Sequence, residues 1–487
     1  RCRPGACARP GGPSMIADTI PKSLRGGRSA AAAAPTGVRE NGLLWVIFPL
    51  MLVLTALEIF LSGRDLTQSF LLLEKEVEAI GPIGRNPIVA WTQRGVSLLL
   101  LLVSIERVVQ LLLQRKPLPS ALLTWTFLAY WFTTIAAPAG FSAHPRISHE
   151  YLYALFLGLA CTLVSMSERD RILDATRDGL FLFFLASWAL VPVMPTLVLD
   201  TSYSQGFLPG VPRFGGLASH PVMLGMLAQI ALLLLCARPY RRGWVNATAW
   251  IVGLGVLFLA QSKTAWVAFL LAMMALYVVR SLPGTVHRAG DPRRGSFGVG
   301  LCLAIIGAVV AVLLLMLVAD LPSVLDNFFN SREGAQLASL TGRDRIWVVA
   351  MEEWNAHPVF GYGLTMWDAD YRQAIAMPEA THAHNQFLDT LGRAGVIGAV
   401  GLCLYALVLL VMAVRHARAT RGLSLAMFLT VALQSVSEVP LILTDYGSHL
   451  LMHFLLIVTL AAAAGAAPRV ARARVAPLEP TAFRTAA

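Results

Sequence analysis

THAHNQFLDTLGRAGVIGAVGLCLYALVLLVMAV, residues 381–414, opens on a polar cluster and carries no charge after Arg393. An apolar window of roughly 20 residues, rising 1.5 Å each, is long enough to cross a hydrocarbon layer of about 30 Å. The stretch therefore reads as a membrane helix with His384 and Asn385 at its mouth and small residues packed behind them. Such an arrangement presents a titratable imidazole to water just outside a bilayer. Most polar residues elsewhere in the chain are explained by topology; these are not.

Composition agrees with a membrane reading. The chain of 487 residues is 56% hydrophobic and 14% charged, with a mean hydropathy of +0.64. Soluble domains carry about 25% charged residues. Apolar windows of membrane-spanning length fall at 43–62, 88–113, 121–141, 151–167, 179–199, 220–237, 245–260, 264–279, 298–319, 385–414, 423–443 and 447–466. The expected fold is thus an all-α polytopic membrane protein of about 12 transmembrane helices. Residues 1–42 are rich in Gly, Pro, Ala and Arg and read as a disordered cytoplasmic tail, with Met15 as the first methionine. This tail lacks the short apolar region of a cleavable signal, so targeting is left to the first span. Residues 43–319 hold spans one to nine, 320–384 a periplasmic cap loop, 385–466 spans ten to twelve, and 467–487 a second cytoplasmic tail.

Orientation follows from the basic residues, because cytoplasmic loops carry the excess of Lys and Arg. Alternate connections are basic: Arg115-Lys116, Arg169/Arg171/Arg177, Arg238/Arg241/Arg242, Arg280/Arg288/Arg293/Arg294 and Arg415/Arg418/Arg421, as are both tails. This bias accounts for the net charge of +11 and places both termini in the cytoplasm. No nucleic-acid partner is needed. Cys2, Cys7, Cys161, Cys236, Cys302 and Cys403 show neither metal spacing nor a disulfide framework, and read as packing residues. The long hydrophilic insertion carries Trp347, Trp354, Phe360, Tyr362, Trp367 and Tyr371 among its charges. That aromatic content predicts a folded cap, with helices near 343–355 and 368–375.

Four external cations run against the sign bias: Arg213 in VPRFGGL, Lys263 in the tight turn QSKT, and Arg343 and Arg345 in TGRDRIW. Guanidinium forks suit phosphate oxygens bidentately. Singly, Lys263 reads as a snorkelling side chain and the arginines as partners of Asp344 or Asp200. Together, on the face that presents His384, they suggest an anion site. A neutral imidazole near its ordinary pKa is placed to take a hydroxyl proton. Glu438 and Asp445, at the outer end of the eleventh span, are candidates to orient that imidazole, to contact a sugar, or to pair with Arg213 or Lys263. His382 and His384 without a neighbouring Cys or carboxylate cluster make a poor metal site, so no metal or other cofactor is expected. Gly395 and Gly398 are expected to allow close helix packing.

His384-Asn385, nine residues, then Gly395-x-x-Gly398 resembles the defining signature of the O-antigen ligase and polysaccharide polymerase superfamily. Thr341-Gly342-Arg343 through Trp347, His357-Pro358-Val359-Phe360-Gly361-Tyr362-Gly363, and Arg213 followed by Phe214-Gly215-Gly216-Leu217 are similar to the same family. The likeness covers the sixth to the eleventh span. Val222 stands where relatives often carry Asn, and Lys263 in Ser262-Lys263-Thr264 looks more like the exopolysaccharide polymerase branch than the ligases, which often have Arg.

The resemblance implies a bacterial inner-membrane glycosyltransferase, metal-independent and inverting, with its active site facing the periplasm. Its donor is a polyprenyl-diphosphate-linked glycan, and its acceptor a lipid-linked repeat unit or the lipid A core. In that reading His384 is the general base, Arg213 and Lys263 act with it on the diphosphate, and Arg343, Arg345, Asn385, Tyr362, Glu438 and Asp445 contact substrate. A twelve-span secondary transporter is the competing class. Against it, the insertion lies late and outside, and the two halves do not resemble each other.

Overall fold

The computed structural model describes residues 42–66, 87–114, 117–201, 208, 210–281, 343–378, 380–444 and 446–466. The two expected tails, the ninth span, residues 320–342 of the expected cap, and Asp445 lie outside the described residues, as do Cys2, Cys7 and Cys302.

The described chain is helical. α1 is Leu44–Ser62, α2 Pro87–Gln114, and α3 runs Ala121–Trp131 through a π-helical turn, Phe132–Ala136, into Ala137–Phe141. α4 is Tyr151–Thr162, α5 Met166–Ala189, α6 Pro221–Ala237, α7 Gly243–Leu259 and α8 Lys263–Arg280. α9, Arg343–Ala356, and α10, Ala369–Ala374, belong to the connection before the long helix α11, Gln386–Arg415. α12 is Leu423–Ser437 and α13 Leu451–Ala466, with short helical turns at Pro195–Val198 and Ser448–Leu450 besides. Five of these segments are long and apolar enough to cross a membrane: Leu44–Ser62, Pro87–Leu113, Lys263–Arg280, Gln386–Arg415 and Ser448–Ala466. Tyr151–Thr162, Pro221–Ala237, Gly243–Leu259 and Leu423–Ser437 are shorter apolar helices.

α6 and α13 form the middle of the bundle, buried along most of their length. α1 and α2 leave Val53, Phe60, Leu98, Leu102 and Leu112 exposed, as a lipid-facing surface should. Three polar side chains form a hydrogen-bonded chain within the bundle: Gln229 donates to Thr430 Oγ1 at 3.1 Å, and Gln434 donates to Gln229 Oε1 at 3.0 Å.

α5 begins well before the apolar window at 179–199, so the basic stretch Arg169/Arg171/Arg177 is helical rather than a loop. The reason is local. Ser165 and Glu168 form a reciprocal capping box, and Glu168 is buried in an ion pair with Arg107. α12 ends at Ser437, short of the expected 443, leaving Glu438 as its C-cap in extended backbone.

Gly395 is not a helix-packing residue of the expected kind. At φ +61° it opens α11, and an added Cβ would meet the Val359 carbonyl and lie 2.7 Å from Phe360 N. The segment from Pro358 to Gly363 runs into this opening backbone to backbone. Val396 N donates to Pro358 O at 2.9 Å, Tyr362 N to Gly392 O at 2.9 Å, and Gly363 N to Arg393 O at 3.0 Å. Only a residue without a side chain tolerates both the left-handed φ and this approach. At Gly398, one turn on, an added Cβ would meet Ala394 and Thr390 of the same helix, while the Thr133 carbonyl of α3 is 3.6 Å away.

Candidate active site

The loop that presents His384 is clamped from both sides. Ala383 is fully buried; its N–H donates to Asp389 Oδ1 at 3.0 Å and its carbonyl accepts from Trp347 Nε1 at 2.8 Å. Asp389, one turn into α11, is itself 1% exposed and lies 3.0 Å from Arg393 Nε. Arg393 in turn donates to Leu364 O at 3.1 Å. Asn385 caps α11, its Oδ1 accepting from Phe387 N at 3.0 Å and Leu388 N at 3.1 Å, while its Nδ2 reaches Val436 O at 3.4 Å. A side-chain acceptor at this position satisfies two of the donors that a helix start leaves unpaired. Between these anchors His384 takes a left-handed backbone, φ 48°. Such a φ is uncommon for a residue with a side chain and marks a position held by its surroundings.

The end of α12 is brought against this loop. His384 Nδ1 lies 3.4 Å from Glu438 Oε2, within ion-pair range although not aligned as a hydrogen bond. His382 Nε2 is 3.5 Å from the same oxygen, and Arg343 Nη2 is 3.4 Å from the other. Arg343 also donates to Ser437 O at 2.9 Å. Burial pushes the Glu438 carboxyl up, but His384, His382 and Arg343 outweigh it and hold it below its ordinary value. Burial, aided by His384, pushes His382 down to about 4 against the opposing pull of Glu438. Neutral His382 accepts from the His384 N–H on Nδ1, 3.1 Å away, so its own proton sits on Nε2, towards Glu438. With Glu438 on Nδ1 of His384, Nε2 of that ring is the nitrogen left for a substrate.

Two more elements reach the same end. Ser437 Oγ donates to Thr264 Oγ1 at 3.0 Å, which sets Lys263, the first residue of α8, beside the Glu438 corner. Arg213 is buried in a two-stranded bridge, Leu199–Asp200 against Arg213–Phe214, with Asp200 opposite Arg213 and its Nε donating to Ala260 O at 2.9 Å. His220, the N-cap of α6, is pushed down to about 4 by burial and by Arg213, and lies within electrostatic reach of Glu438, His384 and Arg64. Its Nδ1 accepts from Val222 N at 3.2 Å, which leaves Nε2 as the protonated nitrogen. Helices α6, α8, α9 and α11 all begin in this neighbourhood. Their N-termini add partial positive charge to Arg213, Lys263 and Arg343. The arrangement suits an anion held beside an imidazole.

Arg345, two residues after Arg343 on the same helix, is exposed on the far face. Tyr362 packs in an aromatic cluster, its ring 4.2 Å from His144 and 4.7 Å from Tyr371. Asp445 is outside the described residues.

Residues 247–403 match the family described as O-antigen ligase. The match covers about a third of the 487-residue chain. A search of curated proteins finds no match to the chain. The matched segment contains Lys263, Arg343, His384, Asn385, Gly395 and Gly398, whereas Arg213, His220 and Glu438 come to the site from outside it. The last two were the least visible from sequence. His220 looks like an ordinary helix cap, and Glu438 had several partners to choose from. Asp389 had one signal, an acidic residue one turn inside an apolar helix, where such a group is costly unless paired.

Glu438 also supplies the carboxylate that the two histidines lacked in sequence. His382, His384 and Glu438 offer three ligand atoms within 4.8 Å of one another. The donor types suit zinc. A cation there competes with Arg343 for Glu438, which already neutralises that carboxylate.

Proposed function

We propose that this protein is a polymerase of the O-antigen ligase family, acting on the outer face of a bacterial inner membrane. It would transfer a glycan from a polyprenyl-diphosphate carrier to a sugar hydroxyl of a lipid-linked repeat unit. The observation that carries this reading is the His384–Glu438 pair, with Nδ1 facing one carboxylate oxygen and Arg343 on the other. The polymerase rather than the ligase is favoured by Ser262-Lys263-Thr264, and in the ligase the acceptor would be the lipid A core.

His384 Nε2 takes the proton of the acceptor hydroxyl as its oxygen bonds to the anomeric carbon of the donor. The bond from that carbon to the diphosphate breaks, and its electron pair leaves on the phosphate oxygen. Negative charge grows on the leaving group while positive charge grows on the imidazole. Arg213, Lys263 and Arg343 stabilise the first, and Glu438 the second. Both contributions are larger in the transition state than in the ground state, the condition for raising kcat. A diphosphate already held by cations needs no metal in this scheme. Arg345, Asn385, Tyr362 and Asp445 would serve the surrounding glycan path or its scaffold.

The test is the surface-polysaccharide profile of a strain lacking the protein, complemented with wild type or with His384→Ala. Single repeat units in the null strain, and long chains restored by wild type alone, support a polymerase that uses His384. Long polymer that stays on its lipid carrier and never reaches lipid A core makes it a ligase. Full rescue by a well-expressed His384→Ala protein rejects the catalytic role. Insensitivity of the purified enzyme to chelators, with no zinc recovered from it, is the matching expectation for the His382–His384–Glu438 group.

A further inference from the structure

At the opposite end of α6 from His220, the chain forms a second charged site that the transfer reaction does not use. A cavity of about 600 Å³ is lined by Asp174, Arg177, Arg238, Tyr240, Arg241 and Arg242, with Ala237, Pro239 and Val245. Asp170, Asp174 and Asp178 follow one another along α5 at four-residue spacing. Each is already engaged by a cation. Arg238 grips Asp174 through Nη2 at 2.7 Å and Nε at 3.1 Å, and Asp170 through Nη1 at 3.0 Å. Arg169 pairs with Asp170 at 2.6 Å. Arg177 pairs with Asp178 at 2.8 Å and lies over the Tyr240 ring at 4.0 Å, and the Tyr240 hydroxyl donates to Asp178 at 2.8 Å. The carboxylates are thereby spent on a frame that holds Arg238 and Tyr240 in place. Arg241 and Arg242, at the start of α7, line the same cavity and have no carboxylate among the described residues.

The surface next to this cavity is apolar. Trp244 (69% exposed), Ile251 (72%), Leu254 (43%) and Phe258 (51%) recur at seven-, three- and four-residue steps and so lie on one face of α7. A cationic cavity opening at the head of an exposed apolar helix face matches a molecule with a phosphate at one end and hydrocarbon behind it. We propose that Arg241 and Arg242 bind the phosphodiester of an anionic phospholipid, whose acyl chains lie along Trp244, Ile251, Leu254 and Phe258. Basic pockets between membrane helices bind anionic headgroups by this chemistry, and interfacial Trp marks the headgroup level. The site depends on neither His384 nor the nature of the transferred glycan.

The test uses the delipidated full-length protein in detergent, with thermal stability and native mass spectrometry as readouts. Phosphatidylglycerol should raise the melting temperature and stay bound, and phosphatidylcholine should not. Arg241→Gln/Arg242→Gln should lower the preference about tenfold, with the melting temperature in phosphatidylcholine unchanged, which shows that the variant is folded. Equal effects of the two lipids, or an unaltered preference in the double variant, would overturn the proposal. So would an equal loss in Arg415→Gln/Arg418→Gln, which would reduce the effect to general surface charge. Full protection by glycerol phosphate alone would replace the lipid by a soluble phosphate ester.

Discussion

Glu438→Gln removes one charge and little volume from the candidate site, and its effect can be worked out from the distances. In the proposed reaction His384 is neutral in the ground state and gains positive charge as it takes the acceptor proton. Glu438 Oε2 is 3.4 Å from Nδ1. Two unit charges at that separation interact by about 1 kcal/mol in water and about 5 kcal/mol at an effective dielectric of 20. The side chains are 25% and 14% exposed, so the value lies between those limits. Taking about 2–3 kcal/mol, Glu438→Gln should lower kcat roughly a hundredfold, with KM for the lipid-linked donor little changed. The assay is turnover of a polyprenyl-diphosphate-linked glycan by purified enzyme, followed by chain length. A structural role alone would also lower activity, so the deciding measurement is a double-mutant cycle. In the His384→Ala background, already slowed by about 10²–10⁴, Glu438→Gln should cost nothing further. Arg343→Gln serves as the control for the cation on the other carboxylate oxygen: acting on the leaving group, it should lower kcat in the wild-type and His384→Ala backgrounds alike. Glu438→Gln within threefold of wild type, or a full additional loss on top of His384→Ala, would refute the pairing.

Neutral replacements of Arg213 or Lys263 should abolish turnover while the protein still inserts into membranes; retained activity would remove them from the mechanism. Gly395→Ala should leave little folded protein, because φ +61° alone costs about 1–3 kcal/mol in a residue with a Cβ, and the new atom meets the Val359 carbonyl. Thermal stability of membrane extracts reads this, and a normal melting temperature would count against the docked segment. Asp389→Asn should lower kcat by loosening Ala383, with insertion preserved; a melting temperature and kcat both like wild type would show that Arg393 and Trp347 suffice. His382 is held neutral in the fold, its value pushed from 6.5 down to about 4. The stability it contributes is therefore present above pH 6.5 and is lost as the pH falls towards 4, because the unfolded chain takes up a proton there that the fold refuses. His220 acts in the same direction. The melting temperature should fall across that window, and His382→Gln should flatten the fall.

What could be read in the sequence divides along a physical line. Apolar windows declare themselves locally, because a span must be apolar over its own length whatever it packs against. α6 and α11 accordingly begin within a residue of their expected positions. The start of α5 is hidden for the converse reason: its first turns are charged, and the Ser165–Glu168 box and the Arg107 partner hold them in the helix. The same division runs through the site. Arg213, Lys263, Arg343 and His384 stand out because a charge or an imidazole beside a span is costly and needs a cause. What each touches is not written locally. Glu438 could have served Arg213, Lys263 or His384, and the choice is made by where α12 stops. It stops at Ser437, turning Glu438 back towards Arg343 and both histidines. Gly395 shows the limit most clearly. A Gly-x-x-Gly spacing inside an apolar helix suggests a neighbouring helix, yet the partner of Gly395 is the backbone of Val359 and Phe360. The opening in α11 fastens that segment to the helix one turn beyond Asp389, which holds Ala383, the neighbour of His384. On this reading the glycine of the signature serves its histidine through the backbone, and the two should lose function together.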